Sequence, residues 1–187
     1  WRAEGAGSRI LLPAMTEIKQ TGSHRNADLS IQALAGGQID LGSVAGILDV
    51  NAGDTRWRNI NVTADGVGSV IDLSSMTEFT DFNTDSRSSL TARNGGAVRL
   101  PNEPDESVSL RGVSLSLDVT GQLPISRITT ITNSYVTVRD QDFVFDSLTS
   151  ARGTTFSVHG IEWDATDGVT SVHLDLSSVE DITRGTI

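Results

Sequence analysis

Six residues that could bind an anionic sugar chain occupy similar places in the polar segments of this sequence. They are Arg25, Arg56, Trp57, Arg58, Arg87 and Arg111. Three of the arginines stand four positions before the start of a predicted strand, and the other two stand two or three positions before one. A guanidinium binds carboxylate or sulfate through paired hydrogen bonds, and an indole ring stacks on a sugar face. The spacing therefore predicts a ligand-binding edge for an acidic polysaccharide.

The same arginines have an alternative explanation, in which nearby acids neutralise them. Four aspartates in the same polar segments could form a solvated ladder of salt bridges: Asp28, Asp54, Asp81 and Asp85. Surface ion pairs of this kind are common and contribute little to stability. The sequence alone leaves both interpretations open.

A second candidate site lies in residues 159–169. Its Glu162, Asp164 and Asp167 could supply oxygen ligands to Ca²⁺, although the spacing lacks the regular ligands and glycine of an EF-hand loop. Trp163, in the same segment, is either a platform for a glycan or a cover for exposed core. Apart from this calcium candidate, no cofactor is predicted.

The sequence contains no arrangement of residues typical of an enzyme. It has no cysteine, and its three histidines lack the spacing of a metal site. A glycosidase needs two carboxylates that face each other across a cleft. Asp40, Asp72 and Asp175 form an outward column in the predicted strands, but other residue types interrupt it. An enzyme is therefore the less favoured class, with a polysaccharide lyase or glycoside hydrolase as the alternative.

The composition of the chain argues against nucleic acid and a membrane span as partners. The formal net charge is −10, with 24 acidic residues against 14 basic ones, which argues against nucleic acid as a ligand. No run approaches the roughly 18 apolar residues of a membrane-spanning helix. The start at Trp1 resembles an interior cut, so the 187 residues are interpreted as one solenoid domain from a longer chain. The partners that remain are a polysaccharide or another surface protein, with the oligomeric state left open.

The candidate residues depend for their position on a repeated frame of three apolar residues, separated each time by two small or polar residues. The copy at 73–79 reads LSSMTEF, and seven copies begin at residues 12, 41, 73, 100, 125, 145 and 176. Such recurrence is typical of a solenoid, in which each repeat covers the apolar face of the next. In the fourth copy Pro101, Glu103 and Pro104 cannot fill core positions. That rung is expected to bulge or swing open.

Two short runs with the period of a β-strand precede each frame. The first is illustrated by Ile60, Val62 and Ala64, and the second by Ile71 and Leu73. A turn, often with glycine, separates the two runs. These patterns predict an all-β, right-handed parallel β-helix of about seven irregular rungs. A leucine-rich-repeat horseshoe and an irregular sandwich remain as alternatives, although the fixed asparagine or cysteine of the horseshoe is missing.

The polar segments that carry the arginines differ in length along the chain. They are long in the first four predicted rungs, where the fourth includes Arg111, and short in the later ones. Function on a solenoid usually lies in its insertions, because the core positions are committed to packing. Any site is therefore expected in the first half.

The segments IDLSSMTEFT, from Ile71 to Thr80, and LDLSSVEDIT, from Leu174 to Thr183, resemble the LDLSSLT-type repeats of large secreted proteins from environmental bacteria. The resemblance covers most of the chain and rests on its architecture. It implies an extracellular or cell-surface protein and carries over no catalytic residue. We therefore expect a non-catalytic domain that serves as a structural stalk, an adhesin segment or a carbohydrate-binding module.

Overall fold

The computed structural model describes residues 1–22, 25–83, 86–103, 105–159 and 173–182. In these residues the chain folds as an all-β parallel solenoid of about five turns with almost no helix. A single 3₁₀ turn, Ile125–Arg127, is the helical element of the described chain. No helix in this part of the protein is long and apolar enough to cross a membrane. The predicted all-β parallel solenoid is confirmed.

The first sheet contains seven strands in the described chain, and all neighbouring strands are parallel. In spatial order they are β1 (Arg2–Glu4), β4 (Leu29–Leu34), β7 (Ile60–Asp65), β10 (Ser88–Arg93), β13 (Val113–Leu117), β15 (Tyr135–Arg139) and β17 (Thr155–His159). This order follows the chain, so each strand lies on the equivalent strand of the rung before it.

The second and third sheets are also parallel. The second contains β2 (Arg9–Leu11), β5 (Gln38–Asp40), β8 (Val70–Asp72) and β11 (Ala97–Arg99). The third contains β3 (Glu17–Gln20), β6 (Gly46–Asp49), β9 (Glu78–Asp81), β12 (Val108–Arg111) and β14 (Ile128–Thr132). A short fourth sheet pairs β16 (Phe143–Val144) with β18 (Leu174–Asp175).

The strands form because apolar and polar residues alternate along them, so that one side faces the interior. In β7, Ile60, Val62 and Ala64 are fully buried, while the residues between them lie closer to the surface. Val62 lies beside Ile31 of β4 and Leu90 of β10. Burial of an aliphatic side chain of this size contributes roughly 1.5–3 kcal/mol. The interior is therefore a continuous aliphatic ladder.

The repeated frame forms the corner between the second sheet and the third. Leu73, Met76 and Phe79 are fully buried. The N–H of Met76 donates to the carbonyl of Leu73 at 2.9 Å, which closes a tight turn. Phe79 lies in β9, so the last apolar residue of the frame belongs to the third sheet. The frame is scaffold.

Glycine is required at the corner between the first and second sheets for two different reasons. Gly36 has a φ of +90°, a conformation that other residues rarely adopt. At Gly96 the constraint is space, because a Cβ there would overlap the carbonyl oxygen of Ala64 in the preceding rung. The sequence indicated only the first reason, since close approach between rungs is a tertiary contact.

The fourth rung departs from the frame after its first apolar residue. Leu100 is buried, but Glu103 and Glu106 are exposed in a loop that spans residues 101–107. Pro104 of this loop lies outside the described residues. The loop therefore replaces the frame in this rung.

The core of the fourth rung is nevertheless complete. Leu110 of β12 is fully buried beside Phe79 of β9 and Ile131 of β14. The pairing of β12 with β14 shifts register between Val108 and Ser109, where it passes over Thr129 of β14. This irregularity lies after residues 101–104, on which the expectation of a bulge was based. The expectation that this rung swings open is wrong, because later residues of the same segment restore the ladder.

Candidate functional site

The candidate site is the corner at which the third sheet passes to the first, which we call the arginine edge. Its exposed arginines and aromatic residues are Arg25, Arg56, Trp57, Phe82, Arg87, Arg111 and Tyr135. In three rungs a long segment connects the two sheets: residues 21–28, 50–59 and 82–87, of which 23, 24, 84 and 85 lie outside the described residues. In the next two rungs the connection is only Gly112 and then Asn133 with Ser134. Five of the six predicted edge residues lie here, and Arg58 is the exception.

Three arginines of the edge lie over aromatic rings. The pairs, with the distance from Cζ to the ring centre, are Arg25 over Trp57 (5.0 Å), Arg111 over Phe82 (5.0 Å) and Arg87 over Tyr135 (4.2 Å). A guanidinium over a ring face is attracted by the quadrupole of the ring, which contributes about 0.5–1 kcal/mol at an exposed site. The rings therefore hold the arginines in place while all three aromatic side chains stay partly exposed.

Phe82 and Tyr135 were missed in the sequence. Tyr135 precedes Val136, whose side chain is buried, so alternation turns the tyrosine outward. Phe82 directly follows β9, where the chain leaves the third sheet. An outward aromatic residue next to a strand was therefore the available signal.

The alternative salt-bridge ladder is present at one place in the described chain. Nη2 of Arg56 lies 2.6 Å from Oδ2 of Asp54. The hydrogen bond from Arg56 lowers the pKa of Asp54 to about 2. Asp81 is buried, Asp85 lies outside the described residues, and Asp28 forms no salt bridge with a described residue. Rings, more than acids, accompany the arginines of this edge.

Arg58 points into the protein, although the two residues before it are exposed. Its side chain is 0 % exposed, and its Nη2 lies 2.6 Å from Oδ1 of Asp49. Further hydrogen bonds go to three carbonyl oxygens, those of Gly22, Val50 and Ala52. Burial raises the pKa of Asp49, and the pairing with Arg58 opposes that rise. The placement of Arg58 on the solvent side is corrected: it supports the loop from beneath.

Trp57 is exposed on an unfavourable backbone conformation. Its side chain is 52 % exposed, and its φ of +54° is rare for a bulky residue. Asn26 has a similar φ, of +59°, and its N–H donates to the carbonyl of Arg56 at 3.1 Å. Asparagine tolerates this region, whereas for tryptophan the left-handed conformation costs about 1–2 kcal/mol. Backbone strain of this kind is concentrated at functional sites.

Farther along the edge is a depression of about 320 Å³, which we call the two-arginine hollow. Its lining residues are Asp81, Phe82, Asn83, Arg87, Arg111, Gly112 and Asn133. Nε of Arg87 donates to the carbonyl of Asn133 at 3.3 Å. Neither Arg87 nor Arg111 forms a salt bridge with any residue that the structure describes.

Asp81 lies at the base of the hollow, but its carboxylate serves the loop. It accepts the backbone N–H of Asn83 and that of Ser88, each at 2.7 Å, and the hydroxyl of Ser88 at 2.8 Å. Burial raises the pKa of Asp81, and these hydrogen bonds oppose the rise. The acid thus ties the two ends of loop 82–87 together.

Arg111 lines the hollow from the end of a strand, whereas the prediction placed it in a long polar segment. It is the last residue of β12, and Gly112 alone separates it from β13. The long polar segment of this rung lies instead at residues 101–107, between the second and third sheets. Arg111 extends over Phe82, which belongs to the rung before it.

The aspartate column of the second sheet caps turns. Oδ1 of each acid accepts the backbone N–H two residues ahead: Asp40 from Gly42 (3.0 Å), Asp72 from Ser74 (3.0 Å) and Asp175 from Ser177 (2.8 Å). The hydrogen bonds from Ser177 lower the pKa of Asp175. This capping explains why aspartate recurs in the LDLSS segments.

A wider cleft of about 780 Å³ lies on the second-sheet side, where the sheet ends after β11. Only an isolated bridge, from Ala97 to Gln122, continues the pairing. Pro124, two residues later, has no N–H to donate to a neighbouring strand, which accounts for the break. The cleft mixes apolar side chains such as Phe143 with amides such as Gln141.

The second candidate site cannot be placed, because Glu162, Trp163, Asp164 and Asp167 lie outside the described residues. Within the described ranges, no group of three or more histidine, aspartate or glutamate residues is close enough to hold a metal ion. His173, at the surface, has Nδ1 3.4 Å from Oδ1 of Asp142.

No protein-family model matches the chain, and neither a curated protein nor a solved structure is significantly similar to it.

Proposed function

We propose that this chain is a non-catalytic, extracellular or cell-surface parallel β-helix that binds an acidic polysaccharide through the arginine edge. In the protein it serves as a stalk or adhesin segment, with the solenoid as a rigid support for the edge. Two features support the proposal: a scaffold with a continuous aliphatic core, and one corner that presents guanidinium and aromatic groups to solvent.

The observation that carries the proposal is the presentation of Trp57. The indole is exposed, sits on a strained backbone, and has Arg25 over its ring. A sugar ring stacks on an indole through its C–H face, and a carboxylate or sulfate on that sugar would meet the guanidinium. The exposed ring and the guanidinium over it together support a role for Trp57 in ligand binding.

The proposal also includes the number of rungs and the handedness of the solenoid. Seven strands of the first sheet each stand before one copy of the apolar frame, which supports seven irregular rungs. Parallel strands in one sheet are joined almost always by right-handed crossovers, which supports a right-handed helix.

The enzymatic alternative, a polysaccharide lyase or glycoside hydrolase, has weaker support. The aspartates of the second-sheet column hold turns through Oδ1, as Asp72 does with Ser74. The described acids of the edge are the exposed Asp28, Asp54, which pairs with Arg56, and Asp81, which is 2 % exposed. A pair of carboxylates poised across a cleft is the feature that catalysis would need.

A glycan array tests the proposal, run with and without Ca²⁺ on the wild-type protein, Trp57→Ala and Trp1→Ala. Trp1 is a matched control, because it is exposed to 40 % but lies at the start of the chain, away from the edge. We expect binding to uronate-containing or sulfated glycans, loss of that binding in Trp57→Ala only, and no release of shorter fragments. Depolymerisation of a bound glycan would favour the lyase or hydrolase alternative. If the protein bound no glycan at all, the proposed function would be wrong.

A further inference from the structure

The two-arginine hollow has a feature that the rest of the surface lacks in the described chain: two exposed guanidiniums line one depression and neither has an acid partner. Other exposed arginines differ in this respect: Arg56, Arg93 and Arg152 pair with aspartates, whereas Arg9, Arg25 and Arg139 form no salt bridge with a described residue. The hollow is distinguished because two such guanidiniums line the same depression, in a chain with a net charge of −10. It therefore presents two positive charges that pair with no described acid.

Aromatic rings hold both guanidiniums in place without occupying their N–H donors. The ring of Tyr135 lies 4.2 Å from Cζ of Arg87, and the ring of Phe82 lies 5.0 Å from Cζ of Arg111. Ring contacts use the face of the guanidinium and leave its N–H edge for other partners. Arg87 donates only from Nε, to Asn133, among the residues that the structure describes. The terminal nitrogens of both arginines therefore remain able to donate.

The walls of the hollow suit a small oxyanion. Asn133 and Gly112 complete the lining, and the carbonyl of Asn133 accepts the Nε–H of Arg87 at 3.3 Å. Asp81 at the base opposes an anion, but its oxygens already accept three hydrogen bonds from Asn83 and Ser88 and face the interior. A volume of about 320 Å³ is at the lower end of the range for ligand pockets, which suits a small group.

We infer that the two-arginine hollow binds one oxyanion group, a carboxylate or a sulfate, between Arg87 and Arg111. The inference rests on the proposed function for the identity of the ligand as a polysaccharide. It assigns the charge recognition to this hollow and leaves Trp57, on the neighbouring rung, to bind the uncharged face of a sugar. An acidic polysaccharide chain would then contact two places along the same edge.

Isothermal titration calorimetry at low ionic strength tests the inference on the wild-type protein, Arg87→Ala, Arg111→Ala and Arg139→Ala. Arg139 is a matched control, because it is an exposed arginine at the far end of β15 from Tyr135. The probes are oligogalacturonate, a sulfated oligosaccharide, a neutral malto-oligosaccharide, inorganic sulfate and poly-glutamate. Far-UV circular dichroism establishes that each variant keeps the fold.

We expect each hollow variant to lower the affinity for an anionic oligosaccharide by about tenfold, since one charge-assisted pair is lost. Arg139→Ala should bind like the wild type, and Arg111→Lys should recover only part of the loss because it lacks the planar fork. The stronger of the uronate and sulfate probes identifies the oxyanion. Added salt should weaken binding to the wild type more than to the variants.

The outcomes separate this inference from the proposed function. If a glycan binds Arg87→Ala and Arg111→Ala as tightly as the wild type but fails to bind Trp57→Ala, the hollow inference is overturned and the carbohydrate function stands. If no glycan binds, yet sulfate or poly-glutamate binds in a manner that depends on both arginines, the hollow is an oxyanion site and the carbohydrate function falls. If no anionic probe depends on the two arginines, the hollow inference is wrong.

Discussion

The corner between the third and first sheets is built in two ways within one solenoid. In the early rungs it is a loop, as at residues 50–59 and 82–87, whereas in the later rungs it shrinks to Gly112 or to Asn133 with Ser134. In both kinds of corner, the backbone N–H and C=O groups beyond the strand ends need hydrogen-bond partners. The two kinds differ in the side chains that supply those partners.

Beneath the loops, charged side chains are fully enclosed. Arg58 pairs with Asp49 and gathers carbonyl groups of two successive loops, and Asp81 joins the two ends of its own loop. A buried charge is tolerated when it is paired and hydrogen-bonded, as Arg58 is, although Oδ2 of Asp49 has no hydrogen-bond partner among the described residues. These loops are therefore supported from inside, and their outer residues are free to carry other functions.

The described tight corners have no buried ion pair, and hydroxyl groups satisfy their backbone, as Ser88 also does when it accepts the N–H of Ile60 at 2.9 Å beside a longer corner. The hydroxyl of Ser134 donates to the carbonyl of Thr132 at 2.8 Å and accepts the N–H of Val113 at 3.1 Å. Thr154 Oγ1 donates to the carbonyl of Ile131 at 2.9 Å. A short corner has few backbone groups to satisfy, so a neutral side chain is enough.

The two-arginine hollow lies where these two constructions meet. Phe82, Asn83 and Arg87 line it on the side of the longer segment, and Arg111 with Gly112 lines it on the side of the single-residue corner. A solenoid with corners of constant length would have a smooth edge here. The change in corner length thus creates the depression.

The largest effect should come from removing the ion pair beneath the loops. Arg58→Ala leaves Asp49 buried without its cation, and we expect the free energy of unfolding to fall by about 3–5 kcal/mol. Urea denaturation monitored by circular dichroism measures the loss. Arg56→Ala, a change in the exposed arginine two residues earlier, is the control and should change stability by less than about 1 kcal/mol. Equal effects of the two variants would contradict the distinction between inner and outer loop residues.

An intermediate effect is expected at the tight corner. In Gly112→Ala a Cβ would overlap the carbonyl oxygen of Asp81 at a φ of +66°, so we expect a loss of about 2–3 kcal/mol. Gly7→Ala separates the two causes, because Gly7 has a φ of +87° but no atom near its added Cβ. The control should lose only about 1 kcal/mol for the left-handed conformation. If Gly112→Ala lost no more stability than Gly7→Ala, the corner would have to relax to admit the added Cβ.

The smallest effect is expected from the hydroxyl of a tight corner. Ser134→Ala leaves the buried N–H of Val113 without its acceptor, which should cost about 1–2 kcal/mol in unfolding free energy. Ser114→Ala is a control, because its serine is a half-buried residue of the adjacent strand β13. If Ser134→Ala destabilised the protein as much as Arg58→Ala, the two kinds of corner would not differ in the way proposed.

Adjacent residues show how far the arginine edge could be predicted. Arg56 and Arg58 have the same residue type, similar offsets from the next strand and equally polar surroundings in the sequence. One is exposed and the other is 0 % exposed, because Asp49 and carbonyls from two different loops converge on Arg58 alone. Such convergence depends on how loops of successive rungs stack, which a linear spacing does not encode.

The sequence by itself determined the strands, their parallel stacking and the aliphatic ladder. The alternation along each strand and the recurring apolar frame are enough to predict which side chains are buried. It also located the corner that gathers arginines and Trp57. Only the tertiary structure decided that Arg58 lies inside, that Arg111 belongs to a strand, and that Phe82 and Tyr135 complete the edge. These depend on contacts between side chains of different rungs. The distance along the chain between such residues carries no signal of its own.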